Sequence, residues 1–274
     1  MSTPVITFIG AGNMGGSLIG GLINDGHPAD KIWACDPYAD KLAELRDKYK
    51  IHTTDDNRKA AQAADVVIFA VKPQVFAETA KALSTVIQQR KPLIISIAAG
   101  IRADNIQEWL GGGQAIIRAM PNTPAMIGCG ATALYANPQV NNEQRHQAES
   151  ILRAVGIVVW VDKEDLMDTV TALSGSGPAY FFFMMEALQQ AAEQFGLSAE
   201  SARLLTLQTA LGSARMAIES GKSLTELRHN VTSPGGTTEK GVSVLEQNNI
   251  RDIFHKTVEA AKNRAEELAT LLQK

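Results

Sequence analysis

Val5-Ile-Thr-Phe-Ile-Gly-Ala-Gly-Asn-Met-Gly15 decides the fold. Five residues, four of them apolar, run into G-x-G-x-x-G, and the helical stretch Met14–Asp25 follows. An apolar run without polar alternation suits a strand buried on both faces. The glycines have separate tasks. Gly10 permits a tight turn, Gly12 lets the backbone approach a pyrophosphate, and Gly15 lets helix and strand pack closely. The helix start adds free N–H groups and the positive end of the helix dipole. The spacing predicts a dinucleotide-binding βαβ unit, with Gly10, Ala11, Gly12, Asn13, Met14 and Gly15 at the cofactor.

Further along, the apolar runs Ile32–Cys35, Val66–Val71, Leu93–Ile97 and Ile116–Met120 alternate with helical stretches at Pro37–Tyr49, Gln74–Gln88 and Ala103–Leu110. That alternation predicts a parallel α/β sheet. Residues 131–136 and 157–161 read as two further strands around the polar helix Asn141–Val155. Beyond residue 163 the strand pattern stops. Helices are expected at 164–173, 178–195, 199–219, 223–230, 238–248 and 250–272. The expected class is α/β: a Rossmann-type parallel-sheet domain over residues 1–162, then an all-α domain over 163–274. Ala179–Met185 is apolar around the whole helix circumference. Such a helix needs burial on every side. Helices of a second copy are expected to enclose it, giving a homodimer.

Composition narrows the function classes. With 26 basic and 29 acidic residues the net charge is -3. That balance gives no reason to expect nucleic acid or an anionic membrane as partner. No run approaches the ~20 apolar residues of a membrane span, and the start lacks the basic and apolar regions of a signal peptide. Cys35 and Cys129 read as reduced packing residues, which favours a cytoplasmic protein. Neither CxxC nor HExxH occurs, so no metal site is expected.

Ligands of open α/β sheets lie beyond the carboxyl ends of the strands. Those ends carry Ala70-Val71-Lys72-Pro73 and Ile97-Ala98-Ala99, whose small residues leave room for a cofactor. Asp36 lies 21 residues after Gly15, where an acidic side chain binds the ribose 2′-hydroxyl of NADH. Pro37, Lys41 and Arg58 keep NADPH open, and a helix cap is the plainer reading of Asp36. Asn57 is placed with the cofactor set. Asn122, in Met120-Pro-Asn-Thr-Pro124, is a candidate partner for the nicotinamide carboxamide, or else part of a structural turn.

Six segments together resemble the pyrroline-5-carboxylate reductase family. They are Phe8–Gly15, Ala70–Pro73, Ser96–Gly100, Arg118–Ala125, Leu173–Tyr180 and Val231–Thr238, the last continued through Gly241 and Leu245-Glu246. The resemblance implies reduction of (S)-1-pyrroline-5-carboxylate to L-proline by hydride from NADPH or NADH. It also implies a helical dimerisation domain with interleaved helices, assembled in many members as a ring of dimers. The family leans to NADPH and Asp36 to NADH, so use of both is expected.

That chemistry needs a hold on a carboxylate and a hydrogen bond to a ring nitrogen. Ser233-Pro-Gly235-Gly236-Thr237-Thr238 is a glycine turn entering a helix. The N–H groups of Gly236 and Thr237, with the Ser233 hydroxyl, are candidates to converge on an anion. The resemblance assigns Thr238 to the ring nitrogen, as the catalytic contact. A simple N-cap threonine is the alternative. Ser176, in Ser174-Gly-Ser-Gly-Pro178, is a candidate donor to the substrate or part of a plain helix start. The five histidines, at 27, 52, 146, 229 and 255, read as solvated, so no strong general acid stands out.

Three rivals remain at this level. A β-hydroxyacid dehydrogenase needs a catalytic lysine near the start of its helical domain, and Lys163 is the only one placed for it. Another imine reductase of the same architecture is the second. A nucleotide sensor without turnover is the third, and it would have no use for the Ser233–Thr238 loop.

Overall fold

Eight strands form one sheet in the computed structural model, which describes residues 3–272. They are β1 (Ile6–Ile9), β2 (Ile32–Cys35), β3 (His52–Thr54), β4 (Val66–Phe69), β5 (Leu93–Ser96), β6 (Ile116–Met120), β7 (Gly130–Ala136) and β8 (Gly156–Trp160). Their spatial order is β3-β2-β1-β4-β5-β6-β7-β8. Strands β1 to β6 run parallel, and β1 lies between β2 and β4. The chain therefore winds one way from β1 to β3 and the other way from β4 to β6. The crevice where the winding reverses is the place such sheets bind ligands.

Successive residues of a strand face opposite sides of the sheet. Phe8 and Ile68 enter one core layer with Leu18 and Leu152. Ile9, Val67 and Phe69 enter the other with Phe76 and Leu83. The connections include α1 (Asn13–Asn24), α2 (Ala39–Tyr49), α3 (Asn57–Ala63), α4 (Pro73–Arg90), α5 (Ala103–Trp109) and α6 (Asn142–Arg153).

Two features depart from the sequence reading, and the direction of β7 lies beyond it. β3 and α3 were not expected. β3 is a three-residue edge strand, exposed or half-buried, and its His52 ring stacks on Trp33 at 4.7 Å. β7 runs antiparallel to β6, because the chain turns back through a 3-10 turn at Thr123–Ile127 and has no crossover helix there. The expected helix 164–173 is α7 (Leu166–Val170) followed by a π-helical turn at Thr171–Gly175.

The chain forms two compact units. The first comprises the residues up to Ser176 and those from Ala260 on. It thus includes α7 and the end of α12 (Ile250–Leu271), which the sequence pattern had grouped with the other helices. The reason is local: Met167, Ala172, Ala265 and Ala269 are buried there. Glu164 also accepts hydrogen bonds from Arg118 of β6 and from the Ala103 N–H. The second unit, Gly177–Glu259, holds α8 (Gly177–Gln194), α9 (Ala199–Glu219), α10 (Leu224–Asn230), α11 (Thr237–Gln247) and the start of α12. Phe181, Phe182 and Phe183 of α8 are largely exposed in the single chain. Among the described residues no helix is long and apolar enough to cross a membrane.

Candidate active site

The carboxyl ends of the parallel strands bring the first set of expected residues to one edge. Gly10 leaves β1 with φ +96°, and a Cβ there would lie 2.7 Å from the Ala70 carbonyl oxygen. Its N–H donates to the Cys35 carbonyl at 2.8 Å. A Cβ on Gly15 would sit 2.7 Å from the Gly10 oxygen. These two glycines are thus required by packing. Gly12 is different: a Cβ there would meet nothing within 4 Å. Gly12 is the N-cap of α1, and no side chain caps that helix. Open space over uncapped N–H groups, at the positive end of a helix, suits a pyrophosphate. The residues fit a dinucleotide.

Asp36 braces this loop. The residue is 7% exposed. One carboxylate oxygen accepts from the Ala11 N–H at 2.9 Å and the other from the Tyr38 N–H at 3.0 Å. The cap of α2 is Tyr38, so Asp36 is not a helix cap. Asn57 opens α3, next to the capping Asp56. Ala70 and Val71 link β4 to α4, where exposed Lys72 is the N-cap and Pro73 the first helical residue. Ile97, Ala98 and Ala99 follow β5, with the Ala98 N–H on the Ser96 hydroxyl at 3.3 Å. The two cations weighed for a 2′-phosphate have other partners. Lys41 Nζ lies 4.7 Å above the Tyr38 ring, and Arg58 Nε donates to the Ala82 carbonyl.

Asn122 is bonded within the chain at both ends. Its Nδ2 donates to the Ser174 carbonyl at 3.0 Å and its Oδ1 accepts from the Ala131 N–H at 2.9 Å. Ser176 closes the π turn, its N–H donating to the Thr171 carbonyl at 2.8 Å. The Ser174 hydroxyl donates to the Val170 carbonyl.

In the second unit, α11 begins at Thr237, one residue earlier than expected, and its N-cap is Gly236 with no side-chain cap. Neither threonine is an N-cap. Gly235 turns at φ +73°. Its N–H donates to the Glu239 carboxylate at 2.7 Å. The Gly236 N–H donates to the Ser233 carbonyl at 3.0 Å, so it is not free for an anion as the sequence suggested. The uncapped donors are those of the first turn, from Thr237 on. Ser233, Thr237 and Thr238 are exposed.

The remaining polar residues are as informative. Four histidines are exposed, but His27 is half-buried: its Nε2 lacks a partner, and burial holds its pKa below the usual value. Cys129 is exposed, not packed. Lys163 lies exposed in a turn, not on a helix, so the dehydrogenase reading lacks its base. The sequence reading missed the buried Arg118–Glu164 ion pair, 2.8 Å. Its signal was an arginine inside the apolar run Ile116–Met120, since a charge taken into a core must be paired.

Comparison with known proteins fits this geometry. Residues 164–268 match the family described as pyrroline-5-carboxylate reductase dimerisation, and residues 5–100 match NADP oxidoreductase coenzyme F420-dependent. The pyrroline-5-carboxylate reductase of Pseudomonas aeruginosa is 48% identical over 272 residues, covering 99% of each chain. The chain belongs to the pyrroline-5-carboxylate reductase family. It is therefore an oxidoreductase. Among solved structures, the Coxiella burnetii pyrroline-5-carboxylate reductase shares 50% identity at a TM-score of 0.95, with 97% of this chain and 99% of that one covered. The Plasmodium falciparum pyrroline carboxylate reductase, solved with NADP bound, shares 30% identity at a TM-score of 0.86, with 98% and 99% covered.

Proposed function

We propose that this reductase converts (S)-1-pyrroline-5-carboxylate to L-proline with the residues just placed as its working parts. The observation that carries the assignment is the pair of helix starts, α1 and α11, each capped by a glycine and by no side chain. One suits a pyrophosphate and the other a small carboxylate. Residues 1–162 act as the dinucleotide-binding domain and 163–274 as the helical dimerisation and substrate domain.

When bound, the reduced nicotinamide supplies the hydride for the C=N carbon. Gly10 to Gly15, Asn57, Ala70 to Pro73 and Ile97 to Ala99 hold the dinucleotide. The Thr237 and Thr238 N–H groups, with the Ser233 hydroxyl, hold the carboxylate. Gly235 and Gly236 shape that turn. The Thr238 hydroxyl hydrogen-bonds the ring nitrogen, and Ser176 donates a further bond to the substrate. The imine is basic enough to arrive protonated, so the iminium accepts hydride without a histidine acid.

Replacing Thr238 by Ala is expected to lower kcat/KM about a hundredfold, the scale for one lost hydrogen bond at a reacting centre, with the melting temperature unchanged. An unchanged kcat/KM in the assay of NADPH oxidation removes Thr238 from the site. Both NADPH and NADH serve, with the Asp36 charge favouring NADH. Substituting Asp36→Ser is expected to raise the NADPH/NADH ratio of kcat/KM. A preference for NADPH in the wild type that this change left untouched sinks the reading of Asp36.

The enzyme works in the cytoplasm as a homodimer through α8 to α12, whose exposed phenylalanines support the pairing, and its dimers close into a ring. It needs neither nucleic acid nor membrane.

A further inference from the structure

Ser174 presents a backbone problem. In a regular α-helix its carbonyl accepts from the N–H four residues on. Residue 178 is proline, which has no N–H. The side chain of Asn122 supplies that donor at 3.0 Å. The other end of the same amide is fixed by the Ala131 N–H at the start of β7. Asn122 itself is 9% exposed. The same segment packs on the turn a second time: a Cβ on Gly175 would lie 2.6 Å from the Met120 methyl, so the Met120 side chain rests against the bare face of that glycine. Both contacts come from Met120-Pro-Asn122, and both land on the π turn that ends at Ser176. π turns of this kind cluster at functional sites.

We infer that Asn122 is a positioning residue, which replaces the missing proline N–H for the Ser174 carbonyl and so sets the direction of Ser176. It acts through the turn and does not serve as the partner of the nicotinamide carboxamide. The inference rests on the proposed role of Ser176.

The test uses the full-length enzyme and the variants Asn122→Ala, Asn122→Asp, Ser176→Ala and Asn122→Ala with Ser176→Ala. The aspartate keeps the shape and the bond from Ala131 but loses the donor. All assays run well below the melting temperature of each variant. Both single changes at 122 are expected to lower kcat/KM for pyrroline-5-carboxylate at least about tenfold, with the Kd for NADPH, from fluorescence quenching, within twofold of wild type. The double variant is expected to be no worse than Ser176→Ala, because residues acting as a unit are not additive. Losses that multiply in the double variant, or an NADPH Kd that weakens in step with activity, overturn the inference. Wild-type activity in Asn122→Ala beside a crippled Ser176→Ala overturns it and leaves the role of Ser176 standing. Wild-type activity in Ser176→Ala removes the role of Ser176 and the inference with it.

Discussion

The chain builds the same device twice, a glycine turn entering an uncapped helix, and the two copies are made differently. The turn before α1 is held from outside. Cys35, Asp36 and Ala70 all contact it, and two of its glycines have no room for a methyl group. Among the described residues of the single chain, the turn before α11 is held through its own Ser233 and Glu239, and its surface there is mostly exposed. The first is preformed by its sheet. The second has its backbone set by its own residues, with little around it in the single chain. A large, flexible dinucleotide gains from a rigid seat, since preorganisation cuts the ordering cost of binding. A small ring needs only a few donors in place.

The largest expected effect is the contrast between Gly10→Ala and Gly235→Ala. Both positions have positive φ. At Gly10 the new methyl also meets the Ala70 carbonyl, so about 3 kcal/mol of stability should be lost, against about 1 kcal/mol at Gly235, where nothing lies within 4 Å. Urea unfolding measures both, and equal losses break the comparison. Next comes Glu239→Gln. Its carboxylate sits at the helix start proposed above for the substrate anion. Removing the charge should lower the KM for pyrroline-5-carboxylate about threefold while weakening α11 by about 0.5 kcal/mol. A raised KM instead shows that Glu239 helps to bind. The smallest effect is on thiols. Burial, then Asp56, Asp55 and Asp36, push the Cys35 thiol up to about 12. Cys129 is exposed. Ellman's reagent should therefore label Cys129 at once and Cys35 only as β2 opens, and NADPH should slow the second phase. Prompt labelling of both thiols contradicts a rigid seat around Gly10.

The α/β layout was legible because β1, β2, β4, β5 and β6 are buried, and a buried strand writes an unbroken apolar run. β3 was not legible: a short edge strand of His-Thr-Thr carries no such run. Nor was the reversal at β7, since strand direction depends on the connection and leaves no mark on the strand's own residues. At the site, the glycines and prolines were readable because backbone geometry restricts residue type. Asp36 and Asn122 were harder. Their spacing suggested contacts with a cofactor, yet their hydrogen bonds go to Ala11, Tyr38, Ser174 and Ala131. A polar side chain near a site looks the same in sequence whether it serves a ligand or the backbone around it.

The π turn at Thr171–Gly175 gives the segment a property that its composition does not show. An α-helix advances about 100° per residue. The π turn spreads one turn's rotation over one more residue, so the surplus residue is absorbed there and the helix beyond keeps its phase. Substitutions at exposed Leu173 leave the residue count intact. Loss of any single residue between 171 and 175 closes the wide turn to an α turn and takes away the five-residue bond from the Ser176 N–H to the Thr171 carbonyl. The stretch is thus fixed in length, free to vary at Leu173, and held to small residues at Ala172 and Gly175.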